Sequence, residues 1–202
     1  MKDLLRRSQY LFSETQPEAL KPSKSEVAFV GRSNVGKSSL LNALCEHKGL
    51  ADVSKMPGRT RLINVYAPAH LRWLIDLPGY GFAMGSDELR KRWAAMIEQY
   101  LTSRPSLRAV ILMFDSNVGP MPMDHQMREW LTAHELPYVL VGNKIDQVPP
   151  AKREAHLTRI AKALHVEVSD IRWVSATHGA GLKELRKEVV ELLNRDQYAE
   201  IP

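Results

Sequence analysis

The 202-residue chain is 44% hydrophobic, enough for one domain that buries about 70% of the surface its unfolded form exposes, so no metal or disulfide staple is required. Its single cysteine, Cys45, excludes a disulfide framework and predicts a small buried side chain in a reducing compartment. No apolar run reaches the roughly 18 residues of a membrane span, and Met1-Lys2-Asp3-Leu4-Leu5-Arg6-Arg7 is too charged for a signal peptide, so a cytoplasmic protein with no stable membrane insertion is expected; a monomer is expected as well.

In chain order, residues 1–24 contain Pro17 and Pro22 and read as an extended N-terminal arm whose Leu4, Leu5, Tyr10, Leu11 and Phe12 pack against the rest. Residues 25–196 read as one domain and 197–202 as a short C-terminal tail. A strand is expected at 26–31 and a helix at 36–47. Between them lies Gly31-Arg32-Ser33-Asn34-Val35-Gly36-Lys37-Ser38, a complete G-x-x-x-x-G-K-[ST] loop. Its glycines let successive N–H groups point inward at an anion, and the helix behind adds its positive N-terminal end. Lys37 then reaches the β- and γ-phosphates of a nucleotide and the Ser38 hydroxyl ligates Mg²⁺, with Ser39 alongside.

Pro57-Gly58-Arg59-Thr60 is a charged segment with one hydroxyl, and Thr60 is the candidate for a second protein ligand to Mg²⁺. Strands at 62–67 and 71–76 are separated only by Pro68 to His70, which predicts a hairpin and an antiparallel pair. The second strand runs into Asp76-Leu77-Pro78-Gly79. Asp76 would hold Mg²⁺ through a water, since this ion keeps several waters, and the Gly79 N–H can donate to a γ-phosphate and so report its presence. A helix at 87–103, capped by Ser86 or Asp87, is opened by Arg90, Lys91 and Arg92 beside Trp93; a strand at 109–115 and a helix at 123–134 follow.

The strand at 138–143 delivers Asn143-Lys144-Ile145-Asp146, an N-K-x-D element. The Asp146 carboxylate offers two acceptors to the N1–H and 2-amino group of guanine, whereas adenine has neither donor, and such polar matching can discriminate by ~10⁴ or more. Asn143 would brace the phosphate loop, and the Lys144 stem would lie over the base. A helix at 151–164, a strand at 171–175 and a helix at 181–195 entered through Gly181 complete the chain, and Val174-Ser175-Ala176 at the last strand places the Ala176 N–H within reach of the guanine O6. Alternating strands and helices predict an α/β three-layer fold, with a six-stranded, mostly parallel sheet, one antiparallel strand, and helices on both faces. Trp73, Trp130 and Trp173 fall on the core faces of that pattern.

Five elements in this order describe a P-loop GTP-binding domain of the Ras-like class. The stretches Val27 to Asn42, Pro57-Gly58-Arg59-Thr60-Arg61-Leu62-Ile63-Asn64 and Asp76-Leu77-Pro78-Gly79-Tyr80-Gly81-Phe82-Ala83 resemble the EngB family of bacterial GTPases, also called YihA or YsxC, over roughly residues 5 to 195. P-G-R-T followed by L-P-G-Y-G is the particular part; N-K-x-D stands where many members have T-K-x-D. The resemblance implies a GTP/GDP switch in assembly of the large ribosomal subunit, with a linked effect on cell division. In Ras-like proteins a glutamine that orients the attacking water follows D-x-x-G, and here the residue is Tyr80, so slow intrinsic hydrolysis is expected. Asn34 matches a position where related GTPases such as MnmE bind K⁺, which could supply part of the missing charge; the alternative is that Asn34 stabilises the loop through its own backbone. Lys37, Asn34, Thr60 and Gly79 form the expected catalytic set.

The balance of 28 Lys and Arg against 23 Asp and Glu, a net charge of +5, suits a polyanionic partner such as ribosomal RNA. Arg59 and Arg61 bracket Thr60, which would couple that charge to nucleotide state. Two alternatives stand beside an assembly GTPase: a non-catalytic module whose RNA-binding loops GTP merely orders, and a membrane or division-site signalling switch, against which there is neither a prenylation cysteine nor a Met-Gly start.

Overall fold

Strands with apolar residues on both faces can be buried only if helices cover both, and the chain supplies those helices between its strands. The computed structural model describes residues 4–52, 62–80 and 87–195, without the side chains of 87–90 and 93. The expectations for Pro57, Gly58, Arg59, Thr60 and Arg61, for the Ser86 or Asp87 cap, for the Arg90 and Trp93 side chains and for the 197–202 tail lie outside the described residues. In chain order the elements are β1 (Gln9–Glu14), β2 (Ser25–Gly31), α1 (Lys37–Leu44), β3 (Ile63–Ala69), β4 (Arg72–Asp76), α2 (Asp87–Ser103), β5 (Leu107–Asp115), α3 (Pro122–Ala133), β6 (Tyr138–Asn143), α4 (Arg153–Ala163), β7 (Ile171–Trp173) and α5 (Leu182–Asn194).

The sheet order is β1-β3-β4-β2-β5-β6-β7. β3 pairs antiparallel with both β1 and β4, and every other pairing is parallel, so β3 is the one reversed strand, joined to β4 by the expected hairpin. The sheet has seven strands rather than six. The added strand is β1, inside what the prolines suggested was a plain arm. It is an edge strand, and Gln9-Tyr10-Leu11-Phe12-Ser13-Glu14 lacks a continuous apolar face because only part of it is covered. Phe12 packs edge-on against Trp73 and Tyr10 against Tyr66, both with centroids 5.9 Å apart. A register shift between Tyr10 and Phe12 leaves Leu11 unpaired and exposed, a bulge of the kind that blunts a sheet edge.

Alternation within β2 decides which layer each residue joins. Val27 and Phe29 face one cluster with Leu40, Leu41 and Leu44 of α1 and Leu185 and Val189 of α5. Ala28 and Val30 face the other, with Ile97, Tyr100 and Leu101 of α2, Leu131 of α3 and Ile160 of α4. Trp73 is in this second core, and Trp130 and Trp173 pack against it, as their positions in the pattern predicted. Cys45 is buried but sits just past the end of α1, which stops at Leu44 instead of continuing to 47 because Glu46 takes a left-handed φ of 49°. β7 ends at Trp173 instead of 175: the Ser175 amide donates to Ala180 O at 3.0 Å, turning the chain into the αL Gly181 (φ 66°) ahead of α5.

Candidate functional site

The parallel strands β2, β4, β5, β6 and β7 end on one side of the sheet, which is where ligands bind in open α/β folds. β2 leads into the phosphate loop. Gly36 precedes α1 with φ 96°, and a Cβ there would stand 2.5 Å from Asn143 Nδ2, so both conformation and crowding require glycine. No side chain caps α1, which leaves its first N–H groups for an anion. Lys37 is buried, and burial lowers its pKa while Asp76 opposes that shift. Asp76, at the end of β4, is 1% exposed, and its Oδ1 has no hydrogen-bond partner. Burial pushes its carboxyl up to about 6, against the nearby Lys37 and a hydrogen bond from the Ser38 hydroxyl. An orphaned carboxylate oxygen beside a hydroxyl is a donor set that fits a hard divalent cation. Leu77 and Pro78 carry the chain from Asp76 to Gly79, and Leu77 donates to Phe29 O at 3.2 Å.

Gly79 lies on the phosphate loop: a Cβ there would be 2.9 Å from Ser33 N, and Ser33 Oγ is 3.4 Å from Gly79 O. Asn34 is exposed and takes φ 66°, a left-handed conformation that asparagine tolerates. Asn143, at the end of β6, braces the loop by donating from Nδ2 to Val35 O at 3.0 Å. Its Oδ1 accepts the Ala176 N–H at 3.2 Å, so the amide expected at the guanine O6 is turned to Asn143 in this structure. Lys144, with φ 64°, donates to Asn34 O at 2.9 Å and to Asp115 Oδ2 at 2.7 Å, tying base-reading and phosphate-binding segments together.

Asp146 Oδ1 is buried without a hydrogen-bond partner, and Oδ2 stands 3.3 Å from His178 Nδ1. The neighbouring Ser175 hydroxyl, and behind it His178, hold this carboxyl below the usual carboxylate range, so it is an ionised acceptor. Val174 and Ser175 are fully buried, and Ser175 Oγ accepts the His178 amide at 2.9 Å, fixing that turn. The structure thus gathers Gly31 to Ser38, Asp76 to Gly79, Asn143, Lys144, Asp146 and Val174 to Ala176 along one edge. Sequence reasoning missed Asp115 and His178. Asp115 carried a signal: like Asp76 it is an acid ending an apolar strand, and it also accepts the Asn117 amide at 2.9 Å. His178 carried none, because an exposed histidine after a strand is commonplace.

Residues 26–144 match the family model described as 50S ribosome-binding GTPase. The chain is 39% identical over 192 residues to "Probable GTP-binding protein EngB" of Desulforapulum autotrophicum, covering 95% of this chain and 99% of that protein. It is 42% identical over 167 residues to the protein of the same name in Pelobacter propionicus, covering 83% and 84%. Among solved structures, a probable GTP-binding protein engB shares the fold, with TM-score 0.64 at 22% identity over 84% of this chain and 98% of that one. Era in complex with MgGDPNP and nucleotides 1506–1542 of 16S ribosomal RNA aligns with TM-score 0.67 and 29% identity, over 90% of this chain and 60% of that one.

Proposed function

The chain belongs to the EngB family of GTPases, and from that premise we propose that it is a nucleotide-dependent switch in assembly of the large ribosomal subunit, with a linked effect on cell division. It binds GTP and hydrolyses it to GDP and phosphate. The observation that carries the switch reading is the contact of Gly79 with Ser33: a turn that can sense the γ-phosphate rests on the loop that would hold it. Ser38 and Asp76, with Thr60 as a third candidate, would hold Mg²⁺, whose charge neutralises that developing between the β- and γ-phosphates. Lys37 would contact the same phosphates and Asp146 the guanine edge, while Asn143 and Lys144 position both segments. Replacing Lys37 or Ser38 by Ala should weaken GTP binding by at least ~10-fold with the fold intact, and normal affinity in both variants would defeat this assignment.

The net charge of +5 supports a polyanionic partner, as does the family description of ribosome binding. With GTP or a non-hydrolysable analogue the protein should pellet with large ribosomal subunits, and with GDP it should remain in the supernatant. Binding should fall as salt rises, because phosphate contacts release counterions. Arg59→Ala with Arg61→Ala should weaken pelleting while nucleotide affinity changes little. Pelleting that ignores nucleotide state would overturn the switch. Stimulation of GTP turnover by ribosomal particles separates this reading from a non-catalytic module, which predicts none. Against a membrane-spanning signalling role, no helix among the described residues is long and apolar enough to cross a bilayer. Tyr80 in place of the water-orienting glutamine supports slow intrinsic turnover. Faster hydrolysis in KCl than in NaCl at equal ionic strength, erased by Asn34→Ala, would assign K⁺ to Asn34; equal rates would leave Asn34 a loop residue.

A further inference from the structure

Asp115 closes β5 beside Asn143, its register partner on β6, and its carboxylate is committed at both oxygens. Oδ1 accepts the Asn117 amide at 2.9 Å and the Val118 amide at 3.3 Å, and Oδ2 accepts the Lys144 ammonium at 2.7 Å. The first two bonds fasten the carboxylate to its own backbone turn, so it meets Lys144 in one fixed place. Lys144 reaches it from a left-handed residue and puts the same ammonium on Asn34 O at 2.9 Å. On the way its Cε passes 4.0 Å from where a Cβ on Gly36 would stand. The pair is mostly shielded from water, with 27% of the Lys144 side chain and 18% of the Asp115 side chain exposed. An ammonium donating to a carboxylate forms a charge-assisted bond, roughly twice as strong as a neutral one.

A trans peptide points its C=O and its N–H in opposite directions, so a hold on one oxygen orients the next amide. Lys144 holds Asn34 O, and the Val35 amide of that peptide closes the loop's turn onto Arg32 O at 3.2 Å. Asn143 holds Val35 O, which sets the Gly36 amide in the same way. Two consecutive peptides of the phosphate loop are thus set from the end of β6. Asn143 is buried and short, whereas Lys144 is long and gives up considerable rotamer freedom to stay in place. Asp115 offsets that loss. Resting on the reading of Lys144 as the side chain whose stem lies over guanine, we infer that Asp115 is a positioning residue for the nucleotide. It keeps the Lys144 ammonium on the phosphate loop, so that one side chain covers the base and orients the Asn34–Val35 peptide before the ligand arrives. GDP and GTP share the base and the loop, so Asp115 governs how long either one stays.

The test is the dissociation rate of fluorescent GDP and of a fluorescent non-hydrolysable GTP analogue, chased with excess unlabelled nucleotide in Mg²⁺ on the full chain, for the wild type, Asp115→Asn, Lys144→Met and the double variant. Asp115→Asn keeps an oxygen for the Asn117 and Val118 amides and removes the charge that faces Lys144, so the turn stays and the ion pair goes. Lys144→Met keeps an apolar stem and removes the ammonium. Asp115→Asn should speed release of both nucleotides about 10-fold while association changes little. Lys144→Met should do at least as much, and the double variant no more than Lys144→Met, because Asp115 acts through that ammonium. The ratio of GDP to inosine diphosphate affinity, which reads the guanine 2-amino group against Asp146, should keep its wild-type value in Asp115→Asn. Unchanged release in Asp115→Asn, or an effect that adds in full to that of Lys144→Met, overturns the positioning role and leaves the GTP site standing. Unchanged release in Lys144→Met overturns the reading of Lys144 and the positioning role with it. A wild type that holds ADP as tightly as GDP overturns the guanine site itself.

Discussion

The two ends of the central sheet solve opposite problems. At the amino end, Glu26 of β2 is fully buried and fully partnered: it accepts the Tyr100 hydroxyl at 2.5 Å, the Ser23 and Ser106 hydroxyls at 2.6 and 3.0 Å, and the Arg104 guanidinium. Arg104 also donates to Leu20 O at 3.3 Å and Lys21 O at 3.0 Å, fastening the N-terminal segment to the sheet. At the carboxyl end, the Oδ1 atoms of Asp76 and Asp146 are buried with no partner, and the backbones of Asn34 and Lys144 are left-handed. Satisfied buried charge stabilises one arrangement; unsatisfied buried charge is held ready for a ligand at the expense of the ligand-free fold.

That contrast can be broken or sharpened by mutation. The largest effect is expected at the ligand end, where Asp146→Asn should reverse the preference between GTP and XTP, the amide N–H suiting the xanthine 2-oxo group; the wild-type discrimination should be ~10⁴, read by competition binding. Equal loss of both nucleotides would mean that Asp146 does not read the base. At the amino end, Arg104→Ala leaves the buried Glu26 charge without the guanidinium that neutralises it and should lower the unfolding free energy in denaturant by about 3–5 kcal/mol, with nucleotide affinity unaffected. An unchanged midpoint would show that this end is not the anchor.

Asp76→Asn should do both things in opposite directions. Replacing a buried carboxylate whose Oδ1 has no hydrogen-bond partner should raise ligand-free stability by about 1–3 kcal/mol, seen as a higher thermal midpoint, while Mg²⁺-dependent nucleotide affinity falls. A loss of ligand-free stability would place the Asp76 carboxylate among the anchors instead. An effect confined to alkaline pH concerns Cys45, whose thiol is pushed to about 11 by burial from an ordinary 9.0. Between pH 9 and 11 the unfolded chain has shed this proton and the native protein keeps it, so stability falls as pH rises through that window. Cys45→Ala should remove up to about 2–3 kcal/mol of that alkaline loss, measured as the difference in pH dependence between the two proteins. At pH 8 a disulfide reagent should modify native Cys45 only as fast as the protein opens.

Much of the site was legible because its residues are tied to local backbone events. Gly36 must be glycine at φ 96°, and Asp76 and Asn143 each close an apolar strand, so each is announced by its neighbours in sequence. β1 was not legible, since an edge strand half in water carries no clean alternation and its pairing with β3 is a long-range event. Asp115 and His178 were missed for a related reason: their roles depend on Lys144 and Asp146 arriving from other elements.

By itself the sequence determined the order of the elements from β2 onward, the single reversed strand, the phosphate loop and the base-reading motif, because hydrophobic period, short hairpin spacing and glycine placement act over a few residues. Only the tertiary structure decided that the arm supplies a seventh strand, that Lys144 binds the phosphate loop as well as serving the N-K-x-D element, and that Tyr80 is fastened to Asp124 across 44 positions. Those outcomes depend on which buried polar groups meet when the layers close, and a donor's partner in the core is set by packing geometry rather than by its neighbours along the chain.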